Sequence, residues 1–116
     1  MKNLLLLLFI VIISSTSFSQ TTNNTVHFFG QCMVSSLDNQ ELIDLEQHLK
    51  QNPYVQVVRV DLVSKRVFIL TKDISSYTMN DFKSWLGEKE NAATCIQVGL
   101  HGVDQVNPFP FTNCNN

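Results

Sequence analysis

The sequence predicts an α+β domain: a four-stranded antiparallel sheet with two helices on one face. Three observations carry this expectation. Two stretches, beginning at Leu37 and at Thr78, place apolar residues three and four apart, the spacing of a helix with one buried stripe. Four other stretches are rich in β-branched or aromatic residues, and three of them alternate apolar side chains. The order along the chain is strand, helix, strand, strand, helix, strand, with a short polar turn between the two middle strands.

Each element has its own signal. Val26 to Ser35 is aromatic and uncharged apart from His27, and is interrupted by Gly30, which reads as a first strand. The first helix opens at Leu37 and Asp38, and Leu42, Leu45 and Leu49 form its apolar stripe. Asp44 with His48 and Glu46 with Lys50 are i,i+4 pairs on the outer side. Asp38 and Glu41 are a capping pair: an acidic N-cap, then a glutamate three residues on, both favoured by the positive end of the helix. Asn52-Pro53 ends the helix, because a residue before proline avoids the α region.

Tyr54 to Leu62 is the second strand, with Val58, Val60 and Leu62 on one face and Arg59 and Asp61 on the other. Ser64-Lys65 turns the chain into a third strand carrying Val67, Ile69 and Thr71, so the pair reads as a hairpin. Lys72 to Tyr77 is a loop. Thr78 and Asp81 form a capping box for the second helix, whose buried side is Phe82, Trp85 and Leu86 and whose end is weakened by Gly87. Thr94 to Leu100 is the fourth strand, with Ile96, Val98 and Leu100 alternating. The βαββαβ order is that of a ferredoxin-like sandwich. Its first and fourth strands are antiparallel neighbours, so the end of one lies near the start of the other.

The ends of the chain read differently. Lys2 is followed by a ten-residue apolar run, Leu4 to Ile13, too short to span a bilayer. Ser17-Phe18-Ser19 then fits a small-x-small cleavage site before Gln20, so residues 1–19 read as a secretory signal peptide resembling a bacterial leader. Residues 20–25 are a polar lead-in, 26–100 the domain and 101–116 a C-terminal tail. Without Lys2 the chain keeps seven Lys and Arg against ten Asp and Glu, and no basic stripe. That argues against a nucleic-acid partner. No second apolar segment is long enough to insert in a membrane, and the expected location is secreted or periplasmic. The serine pairs Ser35-Ser36 and Ser75-Ser76 have no patterned base or elbow glycine, and four scattered glycines make no phosphate loop, so no catalytic residue is assigned.

One stretch carries a family resemblance. Leu45-Glu46, Leu49, Pro53, Val55, Val58, Val60-Asp61-Leu62, then Lys65, Val67 and Ile69, resemble the heavy-metal-associated domain of copper chaperones and metal-transporting ATPases. The likeness extends over roughly residues 26–100 and is close over 45–69. Tyr54 stands where the family has a glycine. In the family a C-x-x-C loop before the helix binds metal; here its two positions hold Asp38 and Glu41, and the usual methionine falls on Ser36. Carboxylates do not replace thiolates for Cu(I). The resemblance therefore implies the fold without the metal loop.

The three cysteines, Cys32, Cys95 and Cys114, match no zinc or redox spacing, and three cysteines allow one internal bridge. The topology brings Cys32 near Cys95, so that pair is the disulfide candidate, and Cys114 can pair with either. Cys95 is out of phase with Ile96 and Val98 and faces away from the helices. Cys32 shares that face if Phe29, Gln31 and Met33 point toward the helices; if Phe28, Gly30 and Val34 do so, Cys32 is a buried small hydrophobe. The alternation leaves both open. His27, His48 and His101 supply no zinc spacing. The functional expectation is a non-catalytic interaction or accessory module with an unknown protein partner and no cofactor, whose contact surface is the exposed sheet face; the Pro-Phe-Pro-Phe stretch at 108–111 covers that face, offers a hydrophobic contact or completes the core. The alternatives are an extracytoplasmic copper carrier with unconventional ligands among Cys32, Met33 and Cys95, and a secreted inhibitor or propeptide-like domain.

Overall fold

The computed structural model describes residues 26–112 and 114. The expected signal peptide, residues 1–19, and the lead-in, 20–25, lie outside the described residues. The chain forms β1 (Phe28–Met33), α1 (Asn39–Lys50), β2 (Val55–Asp61), β3 (Arg66–Thr71), α2 (Met79–Leu86), a 3₁₀ turn (Gly87–Ala92) and β4 (Thr94–Leu100). The four strands make one antiparallel sheet in the order β2-β3-β1-β4. This is an α+β fold, with β2 and β4 at its edges.

Local chemistry places both helices. Asp38 accepts a hydrogen bond from the Glu41 amide at 2.8 Å, and the Glu41 carboxylate accepts the Asp38 amide at 3.3 Å. Thr78 and Asp81 make the same reciprocal box for α2. Each box satisfies backbone donors that a helix N-terminus leaves without partners. The hairpin between β2 and β3 is held by Asp61, which accepts the Val63 amide at 3.0 Å, while Lys65 turns the chain with a φ of 57°.

Leu42, Leu45 and Leu49 of α1 and Phe82 and Leu86 of α2 share one apolar cluster with Cys32, Val67, Ile69 and Ile96 of the sheet. Full burial of such side chains stabilises by roughly 1.5–3 kcal/mol each. Gly30 is where the second helix comes closest. A Cβ there would stand 2.5 Å from the Phe82 ring, so only glycine lets the ring lie against β1. Trp85, expected on the buried stripe, is half-buried, with its ring 4.5 Å from that of Tyr77.

Phe28, Gly30 and Cys32 therefore belong to the helix-facing side, and Phe29, Gln31 and Met33 to the opposite side. The expected Cys32–Cys95 bridge is corrected by this register. β1 and β4 pair from Phe28↔Leu100 to Gln31↔Gln97, then shift at a bulge, so that Cys95 and Ile96 together lie opposite Cys32. Ile96 takes the core side. Cys95, with a φ of 55°, takes the other and is joined to Cys114. Cys32 is a free, fully buried thiol.

Candidate functional site

Three places in the fold bear on function: the loop before α1, the cysteines, and the sheet face away from the helices. The loop is where the family resemblance would put a metal, and its residues do not fit one. Two ammonium groups already occupy it. Lys65, from the hairpin turn, donates to the Leu37 carbonyl at 2.7 Å and to the Ser35 carbonyl at 3.4 Å. Lys89, from the 3₁₀ turn, pairs with Glu41 at 2.9 Å. The Glu41 carboxyl is held below its usual range, chiefly by that Lys89 hydrogen bond and then by the Asp38 amide. Asp38 and Glu41 thus close the helix end and bind it to the turn before β4. The donors there are hard oxygens beside cations, the opposite of what Cu(I) requires.

The soft candidates Cys32, Met33 and Cys95 are not brought together. Cys32 points into the core, and burial pushes its thiol up to about 12, so the thiolate that binds metals is suppressed. Met33 lies on the other side of the sheet, opposite Arg66 of β3, and Cys95 is spent in the bridge. Among the described residues no group of three or more His, Cys, Asp or Glu is arranged to hold a metal ion. Two of the histidines serve contacts within the fold. His27 bridges the Thr71 carbonyl and Asp73, and His48 bonds the Trp85 carbonyl.

The remaining sheet face carries three cross-strand rows. Val57, Leu70, Phe29 and Gly99 form one; Arg59, Phe68, Gln31 and Gln97 the next; Asp61, Arg66, Met33 and Thr94 the third. The C-terminal tail covers the β1–β4 half. Gln31 donates to Gln97 at 2.8 Å and to the Asn107 carbonyl at 3.1 Å; Gln97 in turn donates to the Gln105 carbonyl and accepts the Asn107 amide, both at 2.8 Å. A buried glutamine amide needs such partners, since a lost one costs about 1–3 kcal/mol. The Phe109 ring lies against the Arg66 guanidinium, 4.6 Å from its carbon to the ring centre. The Cys95–Cys114 bridge fastens the far end. Under this strap Phe29 is 0% and Gln31 5% exposed.

The β2–β3 half stays open. Between it and the strap runs a groove of about 730 Å³. Val57, Phe68 and Leu70 line its sheet side and Val106, Pro108 and Phe109 its strap side, with Arg59, Arg66, Asp61 and His101 among the polar residues. Asp61 is held ionised below its usual range by the Ser64 hydroxyl and by the Val63 and Ser64 amides. Sequence reading singles out the exposed sheet face and the tail at 108–111, but not the groove between them or the Gln31–Gln97–Asn107 network. One signal was present: Arg59 alternates outward from Val58 and Val60.

The chain matches no family model, no curated protein and no solved structure. Among the described residues no helix is long and apolar enough to cross a membrane.

Proposed function

We propose that the protein is a small extracytoplasmic, non-catalytic interaction module with a ferredoxin-like fold, related to heavy-metal-associated domains and without their metal chemistry. The strand order supports the fold reading. Taken from the other end it is β4-β1-β3-β2, in which β1 and β2 flank β3 while β3 and β4 flank β1, the arrangement of two interleaved split βαβ units. The disulfide and the leader-like residues 1–19 support an oxidising compartment outside the cytoplasm.

The open half of the sheet face carries the functional reading. Val57, Phe68 and Leu70 form an apolar surface with an arginine beside it, the composition of a protein contact. Affinity capture from the extracytoplasmic fraction tests it. A protein retained by the wild type and lost by Phe68→Asp, with the circular dichroism of the variant unchanged, is the expected result. Equal retention by both would reject the face as the contact surface. Titration with Cu(I) under reducing conditions addresses the metal-carrier alternative: a stoichiometric complex that disappears in Cys32→Ser would replace the present reading.

A further inference from the structure

The chain contains two arginines, and both line the groove. Among the described residues no Lys lines it, in a protein with ten acidic residues against eight basic ones. Arg66 is committed within the fold: it pairs with Asp61 at 3.7 Å, bonds the Ser64 hydroxyl at 3.0 Å and supports Phe109 of the strap. Arg59 differs. It is exposed on the outer strand, directly across from Phe68, and makes no ion pair among the described residues. The acidic residue of the groove, Asp61, is matched by Arg66, so the uncompensated charge is that of Arg59.

We propose that the groove binds an extended peptide segment in which one acidic side chain is flanked by apolar ones. The carboxylate pairs with Arg59, and the apolar neighbours lie on Val57, Phe68 and Leu70. A guanidinium offers a carboxylate two parallel N–H donors, which a lysine does not. Spacing supports an extended occupant. Side chains on one side of a strand recur about every 6.6–6.8 Å, and the Arg59–Phe68 and Val57–Leu70 rows succeed each other along the sheet with similar periodicity. β2 is the edge of the sheet, so no further strand bounds the groove on that side. Single-stranded nucleic acid also uses arginine beside aromatic rings, but two guanidiniums in a net acidic chain give little neutralisation of phosphates.

This inference rests on the open face being the contact surface, and its test is separable from that of the reading itself. The probe is a labelled heptapeptide in which phenylalanine, aspartate and phenylalanine alternate with serines, compared with the same peptide carrying asparagine and with a labelled oligouridylate. Fluorescence polarisation on the oxidised protein is expected to show the aspartate peptide binding about tenfold or more tightly than the asparagine one, the scale of one charge-assisted hydrogen-bonded pair. Arg59→Gln is expected to erase that difference, and Phe68→Asp to weaken both peptides. Equal binding of the two peptides, full retention of the preference in Arg59→Gln, or tighter binding of the oligouridylate overturns the proposal. Absence of binding by the aspartate peptide up to about 1 mM, the limit of useful affinity here, overturns it too. The interaction-module reading survives that last result if Phe68→Asp still loses a captured protein.

Discussion

The two faces of the sheet are closed by different means. On the helix side, leucines of α1 and α2 and Phe82 interlock with Cys32, Val67, Ile69 and Ile96, and Gly30 gives up its side chain to admit Phe82. On the other side an irregular segment is laid over β1 and β4. It is held by hydrogen bonds to Gln31 and Gln97, by Arg66 under Phe109, and by a covalent bridge. Gly99 plays a part like that of Gly30, since a Cβ there would stand 2.7 Å from the Phe29 ring. The helix side excludes everything else. On the strapped side the tail lies over β1 and β4 and leaves an apolar, arginine-edged groove beside it. The two faces therefore differ in completeness, and the half-covered one is the side to which the proposed contact is assigned.

Substitutions can break that comparison. Phe82→Ala, which empties the space opposite Gly30, is expected to destabilise by about 3–5 kcal/mol in urea unfolding, as buried phenylalanines do. Cys114→Ser, which opens a loop with a sequence separation of 19, is expected to cost about 2–3 kcal/mol. The important readout is local. Hydrogen exchange should accelerate at Asn107 and nearby strap amides while the amides of β1 that pair with β3 stay protected. If α1 and α2 lose protection equally, the two sides form one cooperative unit and the distinction fails.

Asp38→Ala is expected to lose about 1 kcal/mol, the usual worth of an N-cap. The pairing of Glu41 with Lys89 adds a pH signature. The folded-state pKa of Glu41 lies below its ordinary 4.5. Its contribution is therefore present above that ordinary value and is lost as pH falls through the lowered one. Urea midpoints measured from pH 7 down to pH 3 should decline less steeply in Glu41→Gln than in the wild type; parallel curves would remove Glu41 from the acid response. The smallest effect is expected from Arg59→Gln, within about 0.5 kcal/mol of wild type in the same unfolding experiment, as for an exposed side chain without partners. A larger loss would mean that Arg59 supports the fold and is not reserved for a ligand.

Much of the architecture was legible in the residues because its causes are local. Leu42, Leu45 and Leu49 mark a helix by spacing, and Asp38 with Glu41 marks where it starts, since the cap bonds span three residues. Val58 and Val60, with Val67 and Ile69, mark a hairpin around Ser64 and Lys65. The orientation of β1 was not legible. Phe28 and Phe29 are adjacent and equally apolar, so alternation cannot say which one faces the helices. The bridge followed from that ambiguity: topology put Cys32 beside Cys95, but the bulge set them on opposite sides of the sheet. Periodicity puts Trp85 on the buried stripe, and it packs half-buried against the core, its ring on that of Tyr77.

By itself the sequence determined the elements, their order and their caps, because hydrogen bonding and side-chain periodicity within a helix or strand act over a few residues. It also set the number of cysteines and the absence of soft ligands at Asp38 and Glu41. The tertiary structure alone decided which thiol stays buried, where the tail is fastened, and that Arg59 meets Phe68 across an uncovered groove. Those outcomes depend on register between strands and segments that are far apart in the chain. A shift of one residue at the β1–β4 bulge exchanges the two faces, and no local pattern records that choice.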